Sequence, residues 1–303
     1  NGKVAMYSQT KKQAIAALMG SGKWGMNYEG QVLQIGSNKG KDSDFAGVIS
    51  GKGSLEKIGS SVLTLSGSNT FTGGISIHSG VVEVGDSQAI PIDSDLQIGV
   101  YPVEDGESLE GTAKSSGTLD LNGFDVKVKK FIPVSGSILG DGELHVMQKV
   151  VDTHHYNKLS IAPGSSLVTH GGGALSTQLN LDGVISVEDG TLIIKNPLAD
   201  GNGLVKIAEG ATLQVSVNSG YRGLLGEWDV QNNGVLKFAK APRQDVSGDI
   251  FGEGSVYLQG AFYEDGTPIP NREITFSGNN TYTGKTTING ATLRLASATA
   301  IPQ

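Results

Sequence analysis

The sequence predicts an all-β chain wound as a parallel β-helix, a solenoid of stacked coils with loops protruding from it. Three observations lead there. Short runs of alternating apolar and polar residues recur along most of the chain, each bounded by glycine or by Asn-Gly and Asp-Gly pairs. From Leu192 to Leu213, Leu236 and Val256 the runs return every 20 to 23 residues. One stretch from the first third of the chain reappears at its end. Alternation turns every second side chain to one face, the pattern of a half-buried strand. The period is too short for a strand–helix–strand unit and suits a single coil of a solenoid.

Taken in order, residues 1–40 are expected to be an N-terminal cap or a junction with an upstream domain, ahead of a β-helix over 41–303. Within them 11–19, Lys-Lys-Gln-Ala-Ile-Ala-Ala-Leu-Met, is the best helix candidate in the chain, ended by Gly20. Trp24 and Tyr28 follow in a strand-like stretch. The alternating runs then predict strands at 61–65, 80–84, 117–121, 142–146, 178–181, 190–194, 210–215, 234–238, 254–258 and 290–295. Glycine turns the corners between them because it accepts positive φ at little cost.

Composition narrows the classes. Glycine is 45 of 303 residues, roughly twice the usual share, and charged residues are 17%, below the share of about 25% typical of soluble chains. Together with the absence of cysteine, this argues against a helical bundle, a disulfide scaffold, a Cys-ligated metal and a thiol nucleophile. The formal charge of −7 is the wrong sign for a protein that wraps nucleic acid, so no nucleic-acid partner is expected. No apolar run is long enough for a membrane-spanning helix. The chain starts at Asn1 and reads as a piece of a longer product, with any signal peptide outside it.

The self-match is long. Residues 66–91 align without a gap to 277–302, with ten of twenty-six positions identical. Upstream, 47–55 pairs with 248–256 at an offset ten residues shorter, which assigns about ten inserted residues to 261–271. Leu63, Leu65, Ile75, Ile77, Val82 and Val84 are expected inside the coils. In the second copy the interior residues are Ile274, Phe276, Ile288, Leu293 and Leu295. Asn69 and Asn280 occupy equivalent turns, where a side-chain amide can bond the backbone of the next coil.

The string Gly-x-Gly-x-Leu-x-Lys, followed by Leu-Thr-Leu-Ser-Gly-x-Asn-Thr-Phe-Thr-Gly-Gly, resembles the passenger-associated repeat of bacterial autotransporters, the type V secretion family. It runs from Gly51 to Val84 and again, more loosely, from Gly252 to Leu295. The resemblance implies a right-handed β-helix exported through periplasm and outer membrane to the cell surface or beyond. It also implies a C-terminal outer-membrane β-barrel in the full-length protein. The motif is specific for the family and nearly silent about activity.

Catalytic constellations are hard to assemble from this sequence. The run 278–286 superficially resembles a phosphate-binding loop, but five residues separate its glycines where four are needed. Ser87 has no local base or oxyanion donors. His154 and His155 are adjacent, so they point to opposite faces of a strand and suit joint metal ligation poorly. Asp42/Asp44 and Asp93/Asp95 lack the glycine-rich nonapeptide of a calcium-binding β-roll. Neither a catalytic, cofactor nor metal site is expected.

Function is expected in the interruptions, because insertions in a solenoid emerge as loops on its side. The partner-binding candidates are Tyr101, Glu104 and Asp105 in 101–111, Tyr156 in 148–158, Tyr221, Arg222 and Trp228 in 221–228, and Phe262, Tyr263 and Glu264 in 261–271. Tyr, Trp and Arg are frequent interface anchors. Lys127, Lys129 and Lys130 form a small basic patch suited to glycosaminoglycan or acidic lipid. The expected function is that of a non-enzymatic passenger binding a host cell-surface protein, matrix or glycan, or associating with itself. The alternatives are a stalk that presents an upstream protease or toxin, and a carbohydrate-active β-helix enzyme.

Overall fold

The computed structural model describes residues 2–6, 10–36, 41–100, 116–151, 158–195, 200–216, 223–239, 243–270 and 272–302. Among them there are 33 short strands and no helix. The chain divides into two units, Asn1–Met147 and Gln148–Gln303.

In the first unit each coil places strands in up to three parallel ladders. One runs Lys3–Ala5, Lys23–Met26, Val48–Gly51, Thr70–Phe71. The second stacks Lys12–Ile15, Val32–Ile35, Ser54–Lys57, Ile75–Ile77, Asp95–Ile98 and Val126–Pro133. The third holds Ser43–Phe45, Val62–Leu65, Gly80–Val84, Gly117–Asp120 and Gly136–Leu139. Every named ladder contact here is parallel, which separates the fold from a meander or sandwich of antiparallel hairpins.

The second unit repeats the arrangement. Thr191–Ile194, Thr212–Ser216, Val235–Ala239 and Ser255–Gln259 lie in one ladder, with Leu192 on Leu213, Leu213 on Leu236 and Leu236 on Val256. The apolar spacing read from the sequence is therefore the coil length. Beside this ladder run Ser165–Thr169, Val184–Val187, Leu204–Ile207 and Asp229–Asn232. A further ladder joins Gly223–Gly226, Arg243–Val246, Glu273–Phe276 and Thr292–Leu295. Both units are thus parallel β-solenoids.

The helix expected over 11–19 is absent. Lys12–Ile15 is a strand paired in parallel with Val32–Ile35, and the Leu18 amide donates to Ser43 Oγ at 3.0 Å. Helix propensity is worth only tenths of a kcal/mol per residue, and an isolated helix of nine residues is marginal in water. A ready strand edge one coil away outweighs it. Val32–Ile35 pairs in turn with Ser54–Lys57.

The core is a column of aliphatic side chains inside each unit. Leu63, Leu65, Ile77, Val82 and Val84 are fully buried, as is Ile75 to within 1%. Ile274 and Phe276 are buried too, with the Phe276 ring 5.9 Å from that of Phe238. Three expected interior residues differ: Ile288 and Leu295 are half exposed and Leu293 is partly so. Among the described residues their strands have a ladder partner on one side only.

Candidate functional site

The two copies of the repeat build the same turn from the same residue. Asn69 Oδ1 accepts from the Ile49 amide, and its Nδ2 donates to the Ala89 carbonyl, both at 2.7 Å. Asn280 does the same between the Ile250 amide and the Ala300 carbonyl, at 2.8 and 2.6 Å. Each amide therefore clips three successive passes of the chain together. Asparagine suits this because one side chain carries both an acceptor and a donor.

Beside each clip lies a groove. Thr70–Phe71 has a strand partner on one side only. On the other side the chain makes turns, held by Ala89 N–H to Asp86 O and Ser94 N–H to Pro91 O, both at 2.9 Å. Between these passes opens a groove of about 700 Å³, whose lining includes Ser68, Thr70, Ser87, Gln88, Ile92, Asp93, Asp125 and Lys127. In the second copy the equivalent residues, among them Asn279, Thr281, Ala298, Thr299 and Ile301, line a smaller groove of about 340 Å³. Only the first carries charged residues at its walls.

Three side chains of metal-ligating type converge next to the charged groove. Glu143 and His145 sit two apart in Gly142–Val150, so they share a face, and Asp125 lies one coil earlier. One donor atom from each falls within 4.8 Å of the other two. His145 Nε2 is 2.9 Å from Glu143 Oε2, and Asp125 Oδ1 accepts the Glu143 amide at 3.0 Å. This trio was missed in the sequence, where attention went to adjacent His residues and to Asp pairs. The available signal was Glu-x-His inside an alternating run, with an acid about one coil upstream.

Lys57 is a buried cation of another kind. Its side chain points inward from Ser54–Lys57 and is fully buried, donating to the carbonyls of Ile58, Gly59 and Ser79 at 2.7, 3.1 and 3.4 Å. Gly59 and Gly80 turn this corner at φ of +68° and +71°, a region that disfavours other residues. Burial pulls the Lys57 ammonium down to a pKa of about 8, against the opposing pull of the Asp42 carboxylate. The equivalent position in the second copy is Leu258, which needs no such cage.

The partner-binding candidates divide into three groups. Tyr101, Glu104, Asp105, Tyr156, Tyr221 and Arg222 lie outside the described residues. Trp228, expected on a loop, is instead 1% exposed, and its indole N–H donates to the Asp200 carbonyl at 3.2 Å. Just ahead of it Gly223–Gly226 is a ladder strand, so an indole following that strand is drawn into the core. Phe262, Tyr263 and Glu264 are exposed as expected, at 39% and 53% for the two rings.

Those three belong to a small hairpin. Phe262 bridges Pro268 in antiparallel fashion, the Tyr263 amide donates to Thr267 O at 2.8 Å, and the Ile269 amide donates to Ala261 O at 2.8 Å. Thr267 is tied to Asp265 through both its amide and its hydroxyl. These bonds hold the Asp265 carboxyl below its ordinary pKa. Of the lysine patch, Lys130 is 3.8 Å from Asp95 and Lys127 is exposed beside the groove.

A parallel β-solenoid that carries two copies of one glycine-rich unit, each clipped by the same asparagine, has the form of a secreted passenger domain. The passenger-associated-transport-repeat family matches the chain at residues 55–84 and 274–295. The repeats and the solenoid together fit an autotransporter passenger domain with β-repeats. That family implies secretion to the cell surface or the extracellular space. Nothing among curated proteins or solved structures matches the chain.

Proposed function

We propose that this chain is the non-enzymatic, host-contacting passenger of a bacterial autotransporter, exported through periplasm and outer membrane by a C-terminal β-barrel. Its partner on this reading is a host cell-surface protein, matrix component or glycan, or a second copy of the chain. The observation that carries the reading is the 261–270 hairpin. It is an insertion in one copy of the repeat and internally hydrogen-bonded; it leaves Tyr263 exposed and Phe262 partly so, with the Phe262 ring lying over Gly290. The exposed parts of these two rings cost solvation of apolar surface. Aromatic anchors on a rigid turn are what protein interfaces favour.

The test is binding of labelled chain to cultured host cells across a concentration series, alongside a variant in which 262–269 is replaced by Gly-Gly. Saturable binding that unlabelled chain competes, and that the hairpin variant loses, supports the reading. Undiminished binding by the variant removes the hairpin as the contact. Non-saturable binding moves weight to a stalk or a self-associating scaffold.

One observation favours a second reading, a carbohydrate-active enzyme. Asp93 and Asp125 line the same groove with Lys127, and paired carboxylates are the working groups of glycosidic bond cleavage. Against it, no histidine lines that groove, so Ser87 has no imidazole partner there. Reducing-end and unsaturated-product assays on a panel of uronate-containing polysaccharides separate the two readings.

A further inference from the structure

We propose that Asp125, Glu143 and His145 form a binding site for a first-row divalent cation, with zinc the member that suits them best. The trio is the one such convergence of His, Asp and Glu donors among the described residues. Its layout follows from strand geometry. Two ligands at i and i+2 stand on one face of Gly142–Val150, and the third comes from the neighbouring coil, so the backbone holds the donors together.

The distances suit a small ion. Zinc bonds of about 2.0–2.2 Å put tetrahedral donors about 3.4 Å apart. His145 Nε2 and Glu143 Oε2 are already 2.9 Å apart, and the third donor lies within 4.8 Å. Asp125 is exposed, so small torsional adjustments that keep its bond to the Glu143 amide can close the remaining gap. Its carboxylate is also oriented: one oxygen accepts the Glu143 N–H, leaving the other for an ion, the kind of outer hydrogen bond that fixes metal ligands.

The chemistry of the donor set selects the ion. One imidazole nitrogen and two carboxylate oxygens match zinc and its first-row neighbours, while calcium and magnesium prefer six or more oxygens. Two carboxylates neutralise the dication. The ion would sit between His145 Nε2 and Glu143 Oε2, which face each other at 2.9 Å. Lys127, exposed on the same strand face as Asp125, opposes binding by its charge and limits the affinity. Three protein ligands leave a coordination position open to water or to an outside donor.

This site stands apart from the hairpin reading, and its test uses zinc itself. Untagged chain, stripped with chelator, is titrated with zinc chloride by calorimetry, and cobalt(II) is added separately to read the visible d–d spectrum. We expect one equivalent of zinc bound and a four-coordinate cobalt spectrum. His145→Ala should abolish both, and Asp125→Asn or Glu143→Gln should weaken binding at least tenfold. His78→Ala and His170→Ala should change neither. Asp125→Asn keeps the size of the side chain and the oxygen that accepts the Glu143 amide. It therefore reports on the site even if His145→Ala misfolds by circular dichroism. Zinc binding that survives both Asp125→Asn and His145→Ala, a response to calcium but not zinc, or no binding at millimolar zinc would each overturn the assignment.

Discussion

Replacing Lys57 by Met tests whether the interior of the first repeat holds a true buried ammonium. The side chain is fully buried and its pKa is lowered from 10.5 to about 8, desolvation outweighing the attraction of Asp42. Below pH 8 both the folded and unfolded chains carry the proton, and burial of the charge is borne in full. Between pH 8 and 10.5 the unfolded chain keeps a proton that the folded chain has released, so stability rises with pH through that window. The gain attributable to Lys57 is about 1 kcal/mol at pH 9 and about 2–3 kcal/mol at pH 10. Lys57→Met removes this contribution and also leaves the Ile58, Gly59 and Ser79 carbonyls without their donor. Urea unfolding of both proteins, followed by circular dichroism at pH 7, 8, 9 and 10, reads the difference. The variant should be the less stable protein, and the gap should widen steadily above pH 8. A gap that stays constant from pH 7 to 10 would refute the buried-cation reasoning, because a surface lysine has no reason to titrate early.

Three further outcomes are expected. Asn69→Ala strands the Ile49 amide and the Ala89 carbonyl inside the coil and should cost about 2–4 kcal/mol, with faster hydrogen exchange localised to those two amide neighbourhoods. Trp228→Ala removes a 1% exposed indole and should destabilise the second unit by about 3–5 kcal/mol in the same urea assay. Excising 262–269 in favour of Gly-Gly removes mostly exposed residues and should leave the urea midpoint nearly unchanged, whatever it does to cell binding.

Much of the architecture was legible because a solenoid writes its coil length directly into the chain. Leu192, Leu213, Leu236 and Val256 are spaced at 20 to 23 residues and stack on one another in register. The Asn69 and Asn280 turns were legible for the same reason, as each copy checks the other. The strand at Lys12–Ile15 was not, since Ala, Leu and Lys favour helix locally and only the distant edge of Val32–Ile35 decides otherwise. Trp228 was misplaced because a large aromatic near glycines reads equally well as a loop anchor or a core plug. The Asp125–Glu143–His145 trio spans two coils, so its proximity depends on a register that no local pattern displays.

Comparison of the two copies separates what the scaffold requires from what has been added to it. The asparagine clip is the same in both, down to which atom accepts and which donates. Each asparagine satisfies one amide and one carbonyl of neighbouring passes, so its loss would leave both without that partner. Where the copies differ, chemistry accumulates. Lys57 becomes Leu258, Phe71 becomes Tyr282 with its hydroxyl on Thr286, and Ser87 becomes Ala298. The first copy keeps the larger groove, the charges of Asp93, Asp125 and Lys127, and the adjoining ligand trio. The second copy has an apolar residue, Leu258, at the Lys57 position and carries the aromatic hairpin. A repeat whose hydrogen-bonded turn carries the fold leaves its grooves and insertions free to diverge, and that is where each copy's own interactions are to be sought.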